Sequence, residues 1–173
     1  MSDEKKTILV VDDEARIVKL VRDYLERAGY HVIDARDGAT ALQVARREKP
    51  DLIVLDLMLP AVDGLDVCRR LRRESGIPII MVTAKAGSKD IVAGLDAGGD
   101  EYLTKPVDHA ALVARVKSML RIKELHDTVQ EQAALLANWN RSLVQQVQEQ
   151  VAQLEQVGRL RRFLSPQLAE LVV

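Results

Sequence analysis

Apolar and polar positions follow a regular plan over the first two-thirds of the chain. Short runs with no polar face, ILVV, LIVL and IIMV, stand between segments whose apolar residues recur at i, i+3 and i+4. Strands covered by helices on both faces of a parallel sheet need runs of the first kind, and amphipathic helices need spacing of the second. The strands expected are 7–12 (TILVVD), 31–35 (HVIDA), 51–56 (DLIVLD), 77–83 (IPIIMVT) and 100–104 (DEYLT). Between them lie the helical patterns EARIVKLVRDYLERAG, GATALQVARREK, GLDVCRRLRRE and SKDIVAGLDAG. Five βα repeats with right-handed crossovers predict an α/β fold: a doubly wound five-stranded parallel sheet of order 2-1-3-4-5, with ligands at the carboxyl ends of its strands.

The pattern then changes. A helix is expected from Asp108, a good N-cap, with nothing to break it before Gly158, and Gly158 and Ser165-Pro166 are expected to interrupt it. Fifty helical residues extend about 75 Å, too long to bury one face on a domain of this size. Ile122, Leu125, Val129, Gln132, Leu136, Trp139 and Leu143 follow the 3-4 spacing of a coiled-coil seam. The seam resumes at Val147, Leu154, Val157 and Leu164, after an eleven-residue step from Leu136 to Val147 that amounts to a four-residue stutter. A parallel homodimeric coiled coil is expected, weakened by Gln132, with the stutter a place where two registers have similar energy. The organisation expected is a compact domain over 1–118, a coiled-coil helix over 119–164, and the start of a linker to an output domain over 165–173.

Composition narrows the function. Net charge is −1, and residues 1–118 are themselves balanced, so no segment carries the basic footprint of a nucleic-acid or membrane-surface binder. A single cysteine, Cys68, excludes an internal disulfide and a thiolate zinc site. There is no long apolar run and no signal peptide, and a cytoplasmic protein is expected.

Chemistry gathers where the strands end. The first ends in Asp12 and Asp13, the third in Asp56 and the fourth in Thr83, while Lys105-Pro106 follows the fifth. Each has a plain alternative. Asp12 or Asp13 could cap the first helix, Asp56 could open a turn, Thr83 could be a strand residue and Lys105 a solvated one. Together they are harder to dismiss, because three converging carboxylates repel one another unless a cation sits among them. A hard cation held by carboxylates, water and phosphate oxygens describes Mg2+. An aspartate can attack phosphorus to form an acyl phosphate. Asp56, alone on the central strand, is the expected nucleophile, with Asp12 and Asp13 holding the metal.

VVDDE (10–14), LDLMLPAVDG (55–64), VTA (82–84) and YLTKP (102–106) stand in that order, and over roughly residues 5–120 they resemble the receiver domain of two-component response regulators, a flavodoxin-like fold. The resemblance implies that Asp56 is the phosphoacceptor for a sensor histidine kinase. Asp13, Asp56 and the Met58 carbonyl would bind Mg2+ directly and Asp12 through water. Thr83, the Ala84 N–H and Lys105 would hold the phosphoryl group, Tyr102 would change rotamer as Thr83 moves, and the Lys105–Pro106 bond matches one that is commonly cis. Gly98-Gly99 is a slight departure from the family pattern.

Resemblance to receivers that dimerise through helix 4, strand 5 and helix 5 places Asp96, Asp100 and Glu101 opposite Arg115 and Lys117 of a second copy. The segment RRFLSPQLAELV (161–172) resembles the element that precedes class III adenylate or guanylate cyclase domains. A nucleotide cyclase is therefore the expected output, with its catalytic residues outside this chain. The alternatives are a stand-alone dimeric adaptor or another output enzyme such as a diguanylate cyclase. No nucleic-acid or membrane partner is expected.

Overall fold

The computed structural model describes residues 5–84 and 87–163. The seam position Leu164 and the cyclase-like segment from that residue onward lie outside the described residues.

Five parallel strands, β1 (Thr7–Val11), β2 (His31–Ala35), β3 (Leu52–Asp56), β4 (Ile79–Thr83) and β5 (Glu101–Thr104), form one sheet in the order β2-β1-β3-β4-β5. The helices between them are α1 (Ala15–Arg27), α2 (Gly38–Glu48), α3 (Gly64–Glu74) and α4 (Ser88–Asp96), and α5 (His109–Phe163) follows the last strand. This is the doubly wound order expected from the repeat pattern. The strands begin and end within two residues of their expected limits.

Alternation along each strand feeds two cores. Leu9, Val11, Ile53, Leu55, Ile79 and Met81 face a layer built on Ala41, Leu42 and Ala45 of α2 and Val67, Cys68 and Leu71 of α3. Their neighbours Ile8, Val10, Leu52, Val54, Ile80 and Val82 face Val18, Val21 and Leu25 of α1 and Leu112, Val116 and Leu120 of α5. Each such side chain, once buried, contributes about 1.5–3 kcal/mol. The last three therefore hold the start of α5 on the sheet.

Local signals set the helix starts. Asp37 accepts a hydrogen bond from the Thr40 N–H (2.8 Å), and Asp63 from the Leu65 N–H (3.0 Å). Asp108 accepts from the N–H groups of Ala110 and Ala111, as its place before α5 implied. Arg72 of α3 acts as a clamp, donating to the Gly98 carbonyl (2.9 Å), the Ile77 carbonyl (3.1 Å) and the Asp100 carboxylate (2.5 Å). The clamp accounts for one of the paired glycines and Met81 for the other: Gly98 sits at φ +103°, where a Cβ would fall 2.8 Å from Arg72 Cγ, and at Gly99 a Cβ would overlap Met81 Cε.

The chain divides into two compact units at Glu124 and Leu125, and α5 supplies residues to both. In the first, Lys6 lies 3.4 Å from both Asp51 and Glu124, tying α5 to the amino ends of β1 and β3. In the second, α5 continues as helix to Phe163, so Gly158 does not interrupt it. A glycine in a helix costs only about 1 kcal/mol relative to alanine, too little to stop a helix flanked by good formers. Ile122 at the end of the first unit is exposed, as are Leu125, Val129, Leu136, Trp139, Leu143, Val147, Leu154 and Val157 in the second. No helix among the described residues is long and apolar enough to cross a membrane.

Candidate phosphoacceptor site

Strand register alone brings the expected residues together. Val11 lies opposite Leu55, so Asp12, the next residue, emerges beside Asp56. Thr83 lies opposite Thr104, so Lys105 emerges just beyond it, with its N–H donating to the Thr83 carbonyl (2.8 Å). Asp12, Asp56 and Thr83 are 3%, 2% and 3% exposed, whereas Asp13 stands open to solvent at the rim.

Carboxylate oxygens of Asp12, Asp13 and Asp56 lie within 4.8 Å of one another. The Lys105 ammonium is placed 2.8 Å from Asp56 Oδ2, 3.0 Å from Asp12 Oδ2 and 3.5 Å from Glu14. The other oxygen of Asp56 accepts the Met58 N–H (2.9 Å), and the other oxygen of Asp12 accepts the Glu14 N–H (2.8 Å). Asp12 thus takes up the N–H of Glu14, the N-cap residue of α1, but does not itself cap that helix, while its second oxygen faces the cluster.

Burial raises the Asp12 pKa above its ordinary value, and the neighbouring Asp56 charge adds to that. The Glu14 N–H and Lys105 offset only part of the rise. Burial acts against the Lys105 ammonium too, but its hydrogen bonds to Asp56 and Asp12, together with their charges, hold its pKa well above the usual lysine value. Lys105 is therefore charged at any working pH. Three carboxylates facing one ammonium leave an excess of negative charge on hard oxygen donors. That donor set suits a divalent cation of the Mg2+ type.

The loop after β3 is held close. Gly64 opens α3 with its N–H toward the Leu57 carbonyl (3.3 Å), and a Cβ there would fall 2.5 Å from the Leu57 α-carbon and 2.6 Å from the Asp56 carbonyl oxygen. Backbone cannot give way as a side chain can, so the glycine of LPAVDG is a steric requirement of the site. Met58 is exposed on this loop, and Ala84 is exposed directly after Thr83. Tyr102 is half-buried against the α2–α3 core, and the Lys105–Pro106 bond is cis.

The charged residues expected at a helix 4–strand 5–helix 5 interface are placed differently from one another. Asp96 and Lys117 are exposed. Glu101 and Arg115 pair within one chain, and Asp100 is taken up by Arg72 and by the Ile79 N–H (2.8 Å). One oxygen of Asp100 is thus taken up within the chain, while its side chain stays 41% exposed. Glu14, Gly64 and Arg72 were not singled out from sequence. A glycine directly after a capping aspartate was the available signal for Gly64; Glu14 and Arg72 carried none.

Known proteins match this arrangement. Alkaline phosphatase synthesis transcriptional regulatory protein PhoP of Bacillus subtilis (strain 168) is 54% identical over 121 residues, covering 69% of this chain and 50% of PhoP. DNA-binding response regulator MtrA of Mycobacterium tuberculosis is 46% identical over 121 residues, covering 70% of this chain and 53% of MtrA. The chain thus spans about half the length of the curated relatives it matches. A CheY-like response regulator receiver domain protein from Methanospirillum hungatei JF-1 superposes with a TM-score of 0.68 at 31% identity, over 71% of this chain and 99% of that one. The BeF3-activated receiver domain of Klebsiella pneumoniae RstA gives 0.65 at 34% identity, over 67% of this chain and 99% of that one. The family model described as "Response regulator receiver domain" matches residues 8–117, from the first strand through the lysine that faces Asp56 and into α5, and the chain belongs to that family.

Proposed function

We propose that residues 1–118 are a phosphorylation-dependent receiver and that residues 119–164 carry its state onward as a dimeric signalling helix. The observation that carries the first part is the buried Asp56 carboxylate, 2.8 Å from the Lys105 ammonium and grouped with Asp12 and Asp13. The donor is a phosphohistidine on a sensor kinase. An Asp56 oxygen bonds to phosphorus as the phosphorus–nitrogen bond breaks, and the imidazole leaves with the electron pair.

Asp13, Asp56 and the Met58 carbonyl would hold Mg2+, with Asp12 acting through a metal-bound water. When bound, the metal offsets charge on the transferring group. Asp56 is oriented by the Met58 N–H, Lys105 pairs with the arriving phosphoryl group, and Thr83 with the Ala84 N–H receives its oxygens. Positioning and charge then supply most of the catalysis. Movement of Thr83 frees space toward which Tyr102 turns, altering the face of α4, β5 and α5.

The exposed apolar residues of α5 at 3-4 spacing support pairing with the same helix of a second copy. Two readings of the output part here. Relatives named as transcriptional or DNA-binding regulators favour a DNA-binding output, which would set aside the expectation of no nucleic-acid partner beyond these residues. The resemblance of 161–172 to a pre-cyclase element favours a nucleotide cyclase, and no relative named above supports it. Assaying the protein that carries this chain for DNA binding and for cyclase activity separates the two.

Treatment with a small acyl phosphate and Mg2+ tests the receiver reading. The unmodified chain gains the mass of one phosphoryl group, and Asp56→Asn gains none. No gain on the unmodified chain overturns the proposal.

A further inference from the structure

The stretch of α5 from Leu143 to Gly158 carries two apolar seams. One runs through Leu143, Val147, Gln150, Leu154 and Val157, and the other through Val144, Val147, Val151, Leu154 and Gly158. Both keep 3-4 spacing, and they share Val147 and Leu154. Every Val and Leu among these residues is exposed on the described helix. In a coiled coil the two seams differ by a rotation of about 50° about the helix axis. Each has four apolar members and one weak one, Gln150 in the first and Gly158 in the second. Neither dominates.

Flanking residues do nothing to break the tie. Charged pairs beside a seam select one register, because a rotation separates them. Here residues 145–156 include six glutamines and only Glu149 and Glu155 as charges. An amide both donates and accepts, so identical helices can satisfy one another's glutamines in either rotation. That property also points to a second copy of this helix as the occupant, since no charge stripe calls for a different partner. Upstream there is no such ambiguity. Ile122, Leu125, Val129, Gln132, Leu136, Trp139 and Leu143 form one line with a single polar member; turning it about 50° one way exchanges Leu125, Gln132 and Trp139 for His126, Ala133 and Asn140, and the other way exchanges Ile122, Val129, Leu136 and Leu143 for Arg121, Thr128, Leu135 and Ser142.

We propose that the paired helix is fixed in one rotation up to Trp139 and exchanges between two rotations from Leu143 onward, and that phosphorylation of the receiver moves the balance between them. This rests on the dimer reading above. The two seams make opposite demands at adjacent residues: Gln150 faces the partner in the first and Val151 in the second.

Disulfide formation in the full chain reads this directly. The native Cys68 is fully buried and stays out of the reaction. Gln150→Cys, Val151→Cys and Leu154→Cys are oxidised separately, with and without Mg2+ and beryllofluoride, with Glu149→Cys as the control outside both seams. Leu154→Cys links in both conditions. Gln150→Cys and Val151→Cys both link, and their ratio shifts at least about threefold on adding the phosphoryl mimic. Gln150→Leu, placed with Val151→Cys, lowers the 151 link by about tenfold, since it makes the first seam wholly apolar. Linking at only one of 150 and 151 in both conditions, or an unchanged ratio with Leu154→Cys still linked, overturns the two-seam proposal and leaves the dimer standing. No link at 154 together with a monomer in sedimentation overturns the dimer reading and this proposal with it.

Discussion

At the scale of single residues, the site is held by two kinds of constraint, one steric and one electrostatic. Gly64 is the steric one. A methyl group there would overlap the backbone of Asp56 and Leu57, at 2.6 and 2.5 Å, and α3 would have to move away from the phosphoacceptor loop. Overpacking of this kind costs about 1–3 kcal/mol, so Gly64→Ala should lower the unfolding free energy from urea titration by that amount, with a lower midpoint, and slow phosphoryl uptake. An unchanged midpoint would mean that the loop relaxes freely. Asp12 is the electrostatic one, its acid form favoured by burial and by the Asp56 charge. A carboxyl group whose pKa is raised by folding costs no stability below its ordinary pKa. The cost grows as pH rises through the raised value and is complete above it. In the absence of divalent cations, Asp12→Asn should therefore melt higher than the unmodified chain near neutral pH, with the gap closing in acid. The same variant should lose most of the stabilisation that Mg2+ gives. A lower melting point at neutral pH would show that Lys105 and the Glu14 N–H outweigh the burial.

Elements show where reading from sequence succeeds and where it stops. Strands and the first four helices were legible because a parallel sheet covered on both faces forces uninterrupted apolar runs, and covering helices force an apolar stripe. Asp12, Asp56, Thr83 and Lys105 were legible because strand order and register alone decide that they meet. Gly158 misled because a local breaker was set against a helix of 55 residues, in which its cost is minor. Asp100 was not legible as an internal partner because its contact, Arg72, lies 28 positions away and is joined to it only by tertiary packing. That clamp makes its own prediction. Arg72→Ala removes bonds to two carbonyls and a carboxylate across α3, the entry to β4 and the turn after α4. The loss should be about 2–3 kcal/mol by urea titration, with Arg72→Lys recovering little because an ammonium lacks the planar fork. Full recovery by lysine would reduce the clamp to a charge interaction.

For the whole molecule, the question is what the receiver gains from a helix that continues 39 residues past Glu124. Such a length of exposed Leu, Val and Trp is unfavourable in an isolated chain, and isolated helices draw little stability from propensity alone. In the proposed dimer, pairing would remove that surface from water and would let a rotation imposed at one end of two packed helices be read at the other. Dimerisation and phosphoryl chemistry should then be separable. Leu136→Glu combined with Leu143→Glu places like charges in the seam of both helices, at positions far along the chain from Asp56. If the proposed dimer forms through this seam, the variant should sediment as a monomer, and emission from Trp139, the only tryptophan and 73% exposed on the single helix, should lie to the red of the unmodified chain. Phosphoryl uptake from a small donor should stay within about twofold, as expected for distant sites that share no partners. A monomer that also fails to take up phosphate would mean that the second copy helps to build the site. An unchanged sedimentation coefficient would place the dimer contact elsewhere on the chain.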